Sequence, residues 1–326
     1  LHPFPGLRPA PGAAAAVAAP PYDVVSFDEA AAMADGRPWS FLHVSRPEID
    51  LPPGTDSHAD EVYAKGASNL AAMIEAGVLI RDEAPSYYVY RIIMGDHSQT
   101  GLVAATPVDA YLKNIVRKHE FTRPDKEDDR VRQIDEVDAQ TGPVLVVHQP
   151  QPAISAILKE VTAKDPTYDV TQPDGVRHIV WAVTVPADVQ RVADAYAPVD
   201  VLYIADGHHR SAAAARVAAL REGRDGVTDA HERFLIVAFP TDELHILDYN
   251  RVIKDLNGLS EEAFLARVNE AFDVTPASAP ARPARQHEFG MYIGGAWYAL
   301  LIKSAPGSDA PPLDRLDVKL LSDMLL

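Results

Sequence analysis

The chain has 326 residues, 47 Asp+Glu against 30 Lys+Arg for a formal charge of −17, and no cysteine. Such a length buries a sizeable core unaided, and the missing thiols exclude disulfides, thiolate zinc sites, iron–sulfur clusters and cysteine nucleophiles. The acid excess disfavours duplex nucleic acid as a partner, and with a mean hydropathy of −0.11, no ~20-residue apolar span and no signal-peptide pattern, a cytoplasmic globular protein is expected.

The stretch Leu1 to Asp23 holds six prolines and reads as an ordered, extended segment lying across a domain. Helical patches follow at Ser26–Ala34 and Ala59–Ala76. Phe41–Arg46 reads as a strand ending in Arg46, a candidate cation of the site, as is Arg251. Tyr87–Met94 and Gly101–Pro107 form a hairpin around Gly95-Asp96. Val144–His148 is a short buried strand, followed by a helix carrying Ile154, Ile157, Leu158 and Val161.

From there the chain alternates. Strands are expected at His178–Val185, Val201–Ala205 and Phe234–Phe239, and helices at Ala187–Ala195, Ser211–Glu222 and Ser260–Phe272, the last capped by Ser260. The strand at Val201–Ala205 is expected to be central. Thr275–Arg285, with three prolines and four alanines, reads as a linker. Strands at Met291–Ile293 and Trp297–Ile302 and a helix around Leu316–Leu326 complete the pattern. The fold class is therefore mixed α+β. One large unit spans 1–326, with a subdivision near residue 150 as the alternative. The chain stops inside an apolar helical pattern, so a longer natural C-terminus is expected.

The sharpest motif is Asp206-Gly207-His208-His209-Arg210, between an apolar strand and an alanine helix. A strand–Gly–helix turn binds anions because the first helical N–H groups are unpaired and the dipole is positive there. Arg210 adds a fork for phosphate oxygens. Asp206 can orient a histidine, hold Mg²⁺ or act as a base. The plain alternative is an N-cap aspartate beside two solvated histidines.

A second motif spans residues 113–132, where seven Lys or Arg face five Asp or Glu, a local basic surplus in an acidic chain. It contains Lys118-His119-Glu120-Phe121-Thr122 and Lys126-Glu127-Asp128-Asp129-Arg130. A His-Glu-x-x-His zinc helix is excluded, since Arg123 holds the second histidine position and Pro124 breaks the helix. A salt-bridged solvated helix is the plain alternative. The third motif, Pro20-Pro21-Tyr22-Asp23, reads first as a rigid structural turn. No Gly-x-x-x-x-Gly-Lys loop, Gly-x-Gly-x-x-Gly loop after a strand, or Gly-x-Ser-x-Gly elbow occurs.

Taken together, Pro-Pro-Tyr-Asp-Val at 20–24, the 118–130 motif and Asp-Gly-His-His-Arg at 206–210 resemble a bacterial domain-of-unknown-function family labelled SpoOJ/ParA/ParB/RepB. The last box is also similar to the nucleotide-binding box of the ParB/sulfiredoxin superfamily, with His208 where sulfiredoxin has its cysteine. That resemblance implies a ParB/sulfiredoxin-like core with a mixed sheet and terminal additions, but no sulfiredoxin chemistry. It implies a nucleotide-dependent phosphotransferase of the free-serine-kinase kind, acting on a serine- or phosphoserine-type metabolite with ATP or ADP, or CTP, and Mg²⁺.

In this reading Gly207, His209, Arg210, Lys118, Thr122, Lys126 and Arg130 hold the phosphates. Glu120, His119, Asp206 and His208 are the catalytic candidates, with Asp206 and Glu120 as metal ligands. A phosphomonoester phosphatase and a non-catalytic nucleotide-sensing homodimer remain as alternatives.

Overall fold

Alternating β-branched and aromatic residues form most of the strands, and the computed structural model describes them over residues 1–224 and 228–326. The chain divides into two compact units, Leu1–Ile246 and Leu247–Leu326. In the first, β1 (Leu7–Pro9) pairs with β2 (Leu79–Arg81). Eight further strands make one mixed sheet: β3 (Tyr87–Met94), β4 (His97–Pro107), β5 (Val116–Arg117), β6 (Val144–His148), β7 (Tyr168–Thr171), β8 (Arg177–Val183), β9 (Leu202–Asp206) and β10 (Arg233–Pro240). Their order is β5-β9-β6-β10-β4-β3-β8-β7. Four of these strands precede residue 150 and four follow it, so the fold is not divided there.

β5 runs parallel to β9, and β6 parallel to β10; every other pairing in the sheet is antiparallel. β9 is thus not central but one strand in from an edge. Its only neighbour on that side is the two-residue β5. The core is built from the inward residues of the sheet, including Tyr87, Val89, Leu102, Val146, Ile204 and Ile236. Against them pack Ile154 and Leu158 of the helix Pro152–Thr162, and Val192 of the helix Pro186–Tyr196.

The helix after β9 spans His208–Arg221 and begins three residues before the expected Ser211, because Gly207 rather than a polar side chain forms its cap. Its alanines serve two partners. Ala212 and Ala214 join the sheet core. Ala213, with Val217 of the same helix, packs against Val131 and Ile134 of the helix Pro124–Val137. A run of small side chains lets one helix lie close to a sheet and a helix at once.

Two further local expectations change. Leu42–Ser45 is one helical turn and not a strand; Leu42 and Val44 are both buried, an alternation that a single turn also produces. The proline-rich start of the chain is extended as expected at its beginning, where His2 bridges to Ala105 and Phe4 to Ser86.

The second unit is described by itself. It holds a three-stranded antiparallel sheet of β11 (Phe272–Ala277), β12 (Glu288–Ile293) and β13 (Ala296–Ile302), ordered β11-β13-β12. The helices Glu261–Ala271 and Asp317–Met324 contribute Val268 and Leu320 to its core with Phe272, Leu300 and Ile302. Ser260 caps the first helix, accepting from Ala263 N–H at 3.2 Å. The expected linker at 275–285 starts later than its composition implies, since Thr275, Pro276 and Ala277 pair with Ala299, Tyr298 and Trp297. Proline is tolerated there because β11 is an edge strand. Among the described residues no helix is long and apolar enough to cross a membrane.

His148 ends β6 fully buried, its Nδ1 bonded to the Gln149 carbonyl at 2.8 Å and its Nε2 without a protein partner. Burial holds its pKa below the ordinary 6.5, and the bond to Gln149 opposes this only in part. The unfolded chain therefore takes up a proton near pH 6.5 that the folded chain refuses, so stability falls as pH drops through that value. Urea unfolding from about pH 5 to about pH 7.5 is expected to show this loss. His148→Gln is expected to flatten the slope; an unaltered slope would assign it to the other histidines that burial also lowers, His2, His178 and His208.

Candidate functional site

β9 and β5 place the site. Because they are parallel, with Val116 opposite Leu202 and Arg117 opposite Tyr203, the chain leaves both at the same end of the sheet. Glu120 and Asp206 each follow three residues beyond the Arg117–Tyr203 pair. Leu202 and Ile204 are buried while Tyr203 is exposed, so strict alternation would turn Asp206 inward. A β-bulge prevents this. Leu145 pairs with Asp206 and Val146 with Ile204, leaving Ala205 as an extra residue, and both Ala205 and Asp206 face out.

Gly207 then turns the chain with φ at 94°, a left-handed conformation that any side chain would strain. A Cβ there would also stand 3.1 Å from the Arg210 guanidinium carbon and 3.3 Å from Val144 Cα. No side chain caps the helix that follows. Its first backbone bond runs from Ser211 N–H to the Gly207 carbonyl at 3.0 Å, so the amides of His208, His209 and Arg210 precede the ladder.

These residues line a cleft of ≈190 Å³ together with Glu120, Tyr22 and Asp23. Arg210 sits along its wall. Its Nη2 donates to Asp206 Oδ2 at 2.5 Å and its Nη1 to the Pro143 carbonyl, which ties the start of β6 to the end of β9. His209 Nε2 accepts from the Arg123 N–H at 3.1 Å. The ring proton therefore sits on Nδ1 as a donor.

His208 is 5% exposed, and neither ring nitrogen has a protein partner. The exposed His119 ring meets it edge-on, centroids 4.4 Å apart. Burial, and then the neighbouring His119, lower the His208 pKa, so the ring is neutral at physiological pH; Glu120 and Asp206 oppose this.

The two motifs expected to share a cleft are thus brought together, but not all their residues line it. Glu120, Asp206, Gly207, His208, His209 and Arg210 do. Arg130 reaches it only through Tyr22, whose ring centroid lies 4.0 Å from the guanidinium carbon. Lys118 lies over the Tyr111 ring at 4.2 Å, and the Thr122 hydroxyl donates to Glu127 at 2.7 Å. Lys126 is exposed on the helix Pro124–Val137.

The charge run on this helix is largely paired across to the neighbouring helix and not along its own face. Arg216 bonds Glu127 and Asp128, and Arg221 bonds Asp135 and Asp138. Among the described residues no group of three or more His, Asp or Glu is placed to hold a metal ion, so Glu120 and Asp206 gain no third protein ligand. The sequence reads Tyr22 and Asp23 first as a structural turn, and the structure puts both in the lining of the cleft. The signal was the fixed Pro20-Pro21 pair, which presents the next two side chains rigidly.

Gly207→Ala is expected to cost about 1–2 kcal/mol from the left-handed backbone alone, plus the contact with Arg210. Gly12→Ala is the comparison, since Gly12 has φ at 83° with open space around it. Chemical denaturation should show the larger loss at Gly207; equal losses would mean that Arg210 yields freely.

No curated protein and no solved structure matches the chain. The resemblance to the SpoOJ/ParA/ParB/RepB family and to a ParB/sulfiredoxin core is corrected by the family comparison, which matches a different family over nearly the whole chain. Short boxes around a strand–Gly–helix anion site are shared by unrelated phosphate binders, so they do not fix descent. Residues 1–319 match the family described as Protein of unknown function (DUF1015), and the chain belongs to that family.

Proposed function

We propose that the protein is a nucleotide-dependent phosphotransferase that moves a phosphoryl group to the hydroxyl of a small metabolite in this cleft. The observation that carries the reading is the uncapped helix start after Gly207, flanked by Arg210, with the Glu120 carboxylate lining the same cleft. Three amides ahead of the ladder and a helix dipole favour phosphoryl oxygens. Arg210 keeps further guanidinium N–H groups beyond the two it gives to Asp206 and Pro143. The His209 Nδ1–H adds a neutral donor.

Phosphoryl transfer asks a protein mostly for positioning and for charge against the phosphates. Glu120, exposed and without a bound cation among the described residues, is suited to take the proton of the attacking hydroxyl. ATP or ADP is the proposed donor, and CTP belongs in the same test. Mg²⁺ commonly binds through one or two carboxylates and the substrate's phosphates, which Glu120 or Asp206 fits, and it would neutralise phosphate charge.

The cleft volume of ≈190 Å³ suits a phosphoryl group better than a whole nucleoside. It favours one second reading, hydrolysis of a phosphomonoester by water at the same cradle.

The test is a thermal-shift panel of ATP, ADP, CTP and phosphoserine with and without Mg²⁺, followed by phosphorus NMR of the mixture with serine and other small alcohols. A ligand at about 100 times its Kd stabilises by ~2.7 kcal/mol. Glu120→Gln is expected to keep nucleotide affinity within a few-fold and to lose about 10²–10⁴ in turnover. Phosphate released without any acceptor product would favour hydrolysis. No shift with any phosphorylated compound, or full turnover by Glu120→Gln, would overturn the phosphotransferase.

A further inference from the structure

The Pro20-Pro21-Tyr22-Asp23 turn is the sequence motif that phosphoryl transfer leaves without a task, yet this wall of the cleft is held at two points. Arg46 Nη1 donates to the Tyr22 carbonyl at 2.9 Å and also to the Val25 carbonyl. Arg46 Nε is fixed at 2.6 Å on Glu48, a side chain that is itself mostly buried. The Tyr22 ring is held separately, against the Arg130 guanidinium.

Arg130 in turn donates twice to Asp129 Oδ2, at 2.9 and 2.6 Å, and Asp129 Oδ1 accepts from the Tyr63 hydroxyl at 2.8 Å. Backbone and ring are thus clamped by two independent arginine networks. A surface turn needs neither. Such double fixation is what a side chain requires when it must present one atom to a ligand.

The atom is the phenol oxygen. Tyr22 lines the cleft beside Gly207, His209 and Arg210. Its hydroxyl lies within the field of both Arg130 and Arg210, and burial outweighs them in raising its pKa, so it keeps its proton. Among the described residues the hydrogen bond that holds Tyr22 runs through its carbonyl and not through the phenol. A protonated phenol near two guanidiniums is a donor in search of an anionic acceptor.

Resting on the phosphoryl reading above, we infer that Tyr22 is a ligand-binding residue whose hydroxyl donates to a phosphoryl oxygen held at the helix start, and that Arg46 is its positioning residue. The ligand class is a phosphate ester or anhydride with an oxygen turned away from the helix amides, toward the Tyr22 wall.

The experiment is calorimetric titration of the full chain with ATP and, separately, pyrophosphate, in the parent, Tyr22→Phe, Arg46→Lys and the double variant. Tyr22→Phe keeps the ring on Arg130 and removes only the hydroxyl. The expected result is a Kd raised about tenfold or more for both probes, the usual size for a hydrogen bond to a charged group, with the ligand-free melting temperature unchanged. Arg46→Lys loses its paired donation to the two carbonyls, and its effect should be largely absorbed in the double variant, because both changes act through one hydroxyl.

If Tyr22→Phe binds both probes as tightly as the parent, Tyr22 is no ligand residue, although the cradle stands. Additive losses in the double variant would overturn the positioning role of Arg46. If the parent binds neither probe, the phosphoryl reading has failed and this inference falls with it.

Discussion

Parallel strands leave a sheet in the same direction, so the pairing of Val116 with Leu202 and Arg117 with Tyr203 sends two distant loops out over one edge of the molecule. The pairing is only two residues long, but it is reinforced from both sides. Leu202 N–H also bonds the Ile115 carbonyl at 3.0 Å, and Val116 is fully buried. An antiparallel arrangement of the same strands would put Glu120 and Asp206 at opposite ends. The cleft is therefore a product of strand direction before it is a product of any side chain.

The helix that starts at this cleft faces a second constraint, being pressed between the sheet and the helix Pro124–Val137. Ala212, Ala213 and Ala214 are all buried, yet they face two different partners. Further along, Arg216 and Arg221 reach across to acidic residues of the neighbouring helix. Each such pair is partly exposed and individually weak. Their value is in fixing rotation: a helix that keeps its arginines over that acidic row also keeps its first turn aimed at Glu120.

Much of this was legible in the residues. Strands with clear alternation, such as Tyr87–Met94 and Val144–His148, lie where the pattern put them. The strand–Gly–helix turn was recognisable because Gly207 breaks an apolar strand immediately before an alanine run. What escaped were features that depend on contacts far away in sequence. The edge pairing that makes a strand of Thr275–Ala277 is invisible in a proline- and alanine-rich string. Lys118 and Thr122 belong to the motif expected to hold the phosphates, but the fold sets Lys118 over the Tyr111 ring and the Thr122 hydroxyl on Glu127, outside the lining of the cleft. Tyr22 was read as a turn residue because Arg46 and Arg130, which hold it, are 24 and 108 positions away. Composition reveals which residues can do chemistry; only the fold reveals which of them are already engaged.

The bulge at Ala205 carries a consequence for how this chain can change over time. Ala205 supplies no side-chain chemistry, so its identity matters little, but its presence as a counted residue matters a great deal. Removing Ala205 would erase the bulge and leave the aspartate facing out by plain alternation, but it would pull Gly207 and the helix start back by about 3.3 Å and so shift Arg210 relative to Glu120. The segment from Leu202 to Gly207 should therefore accept many replacements at position 205 and almost no change in length. Its spacing, rather than its letters, is what inheritance has to preserve.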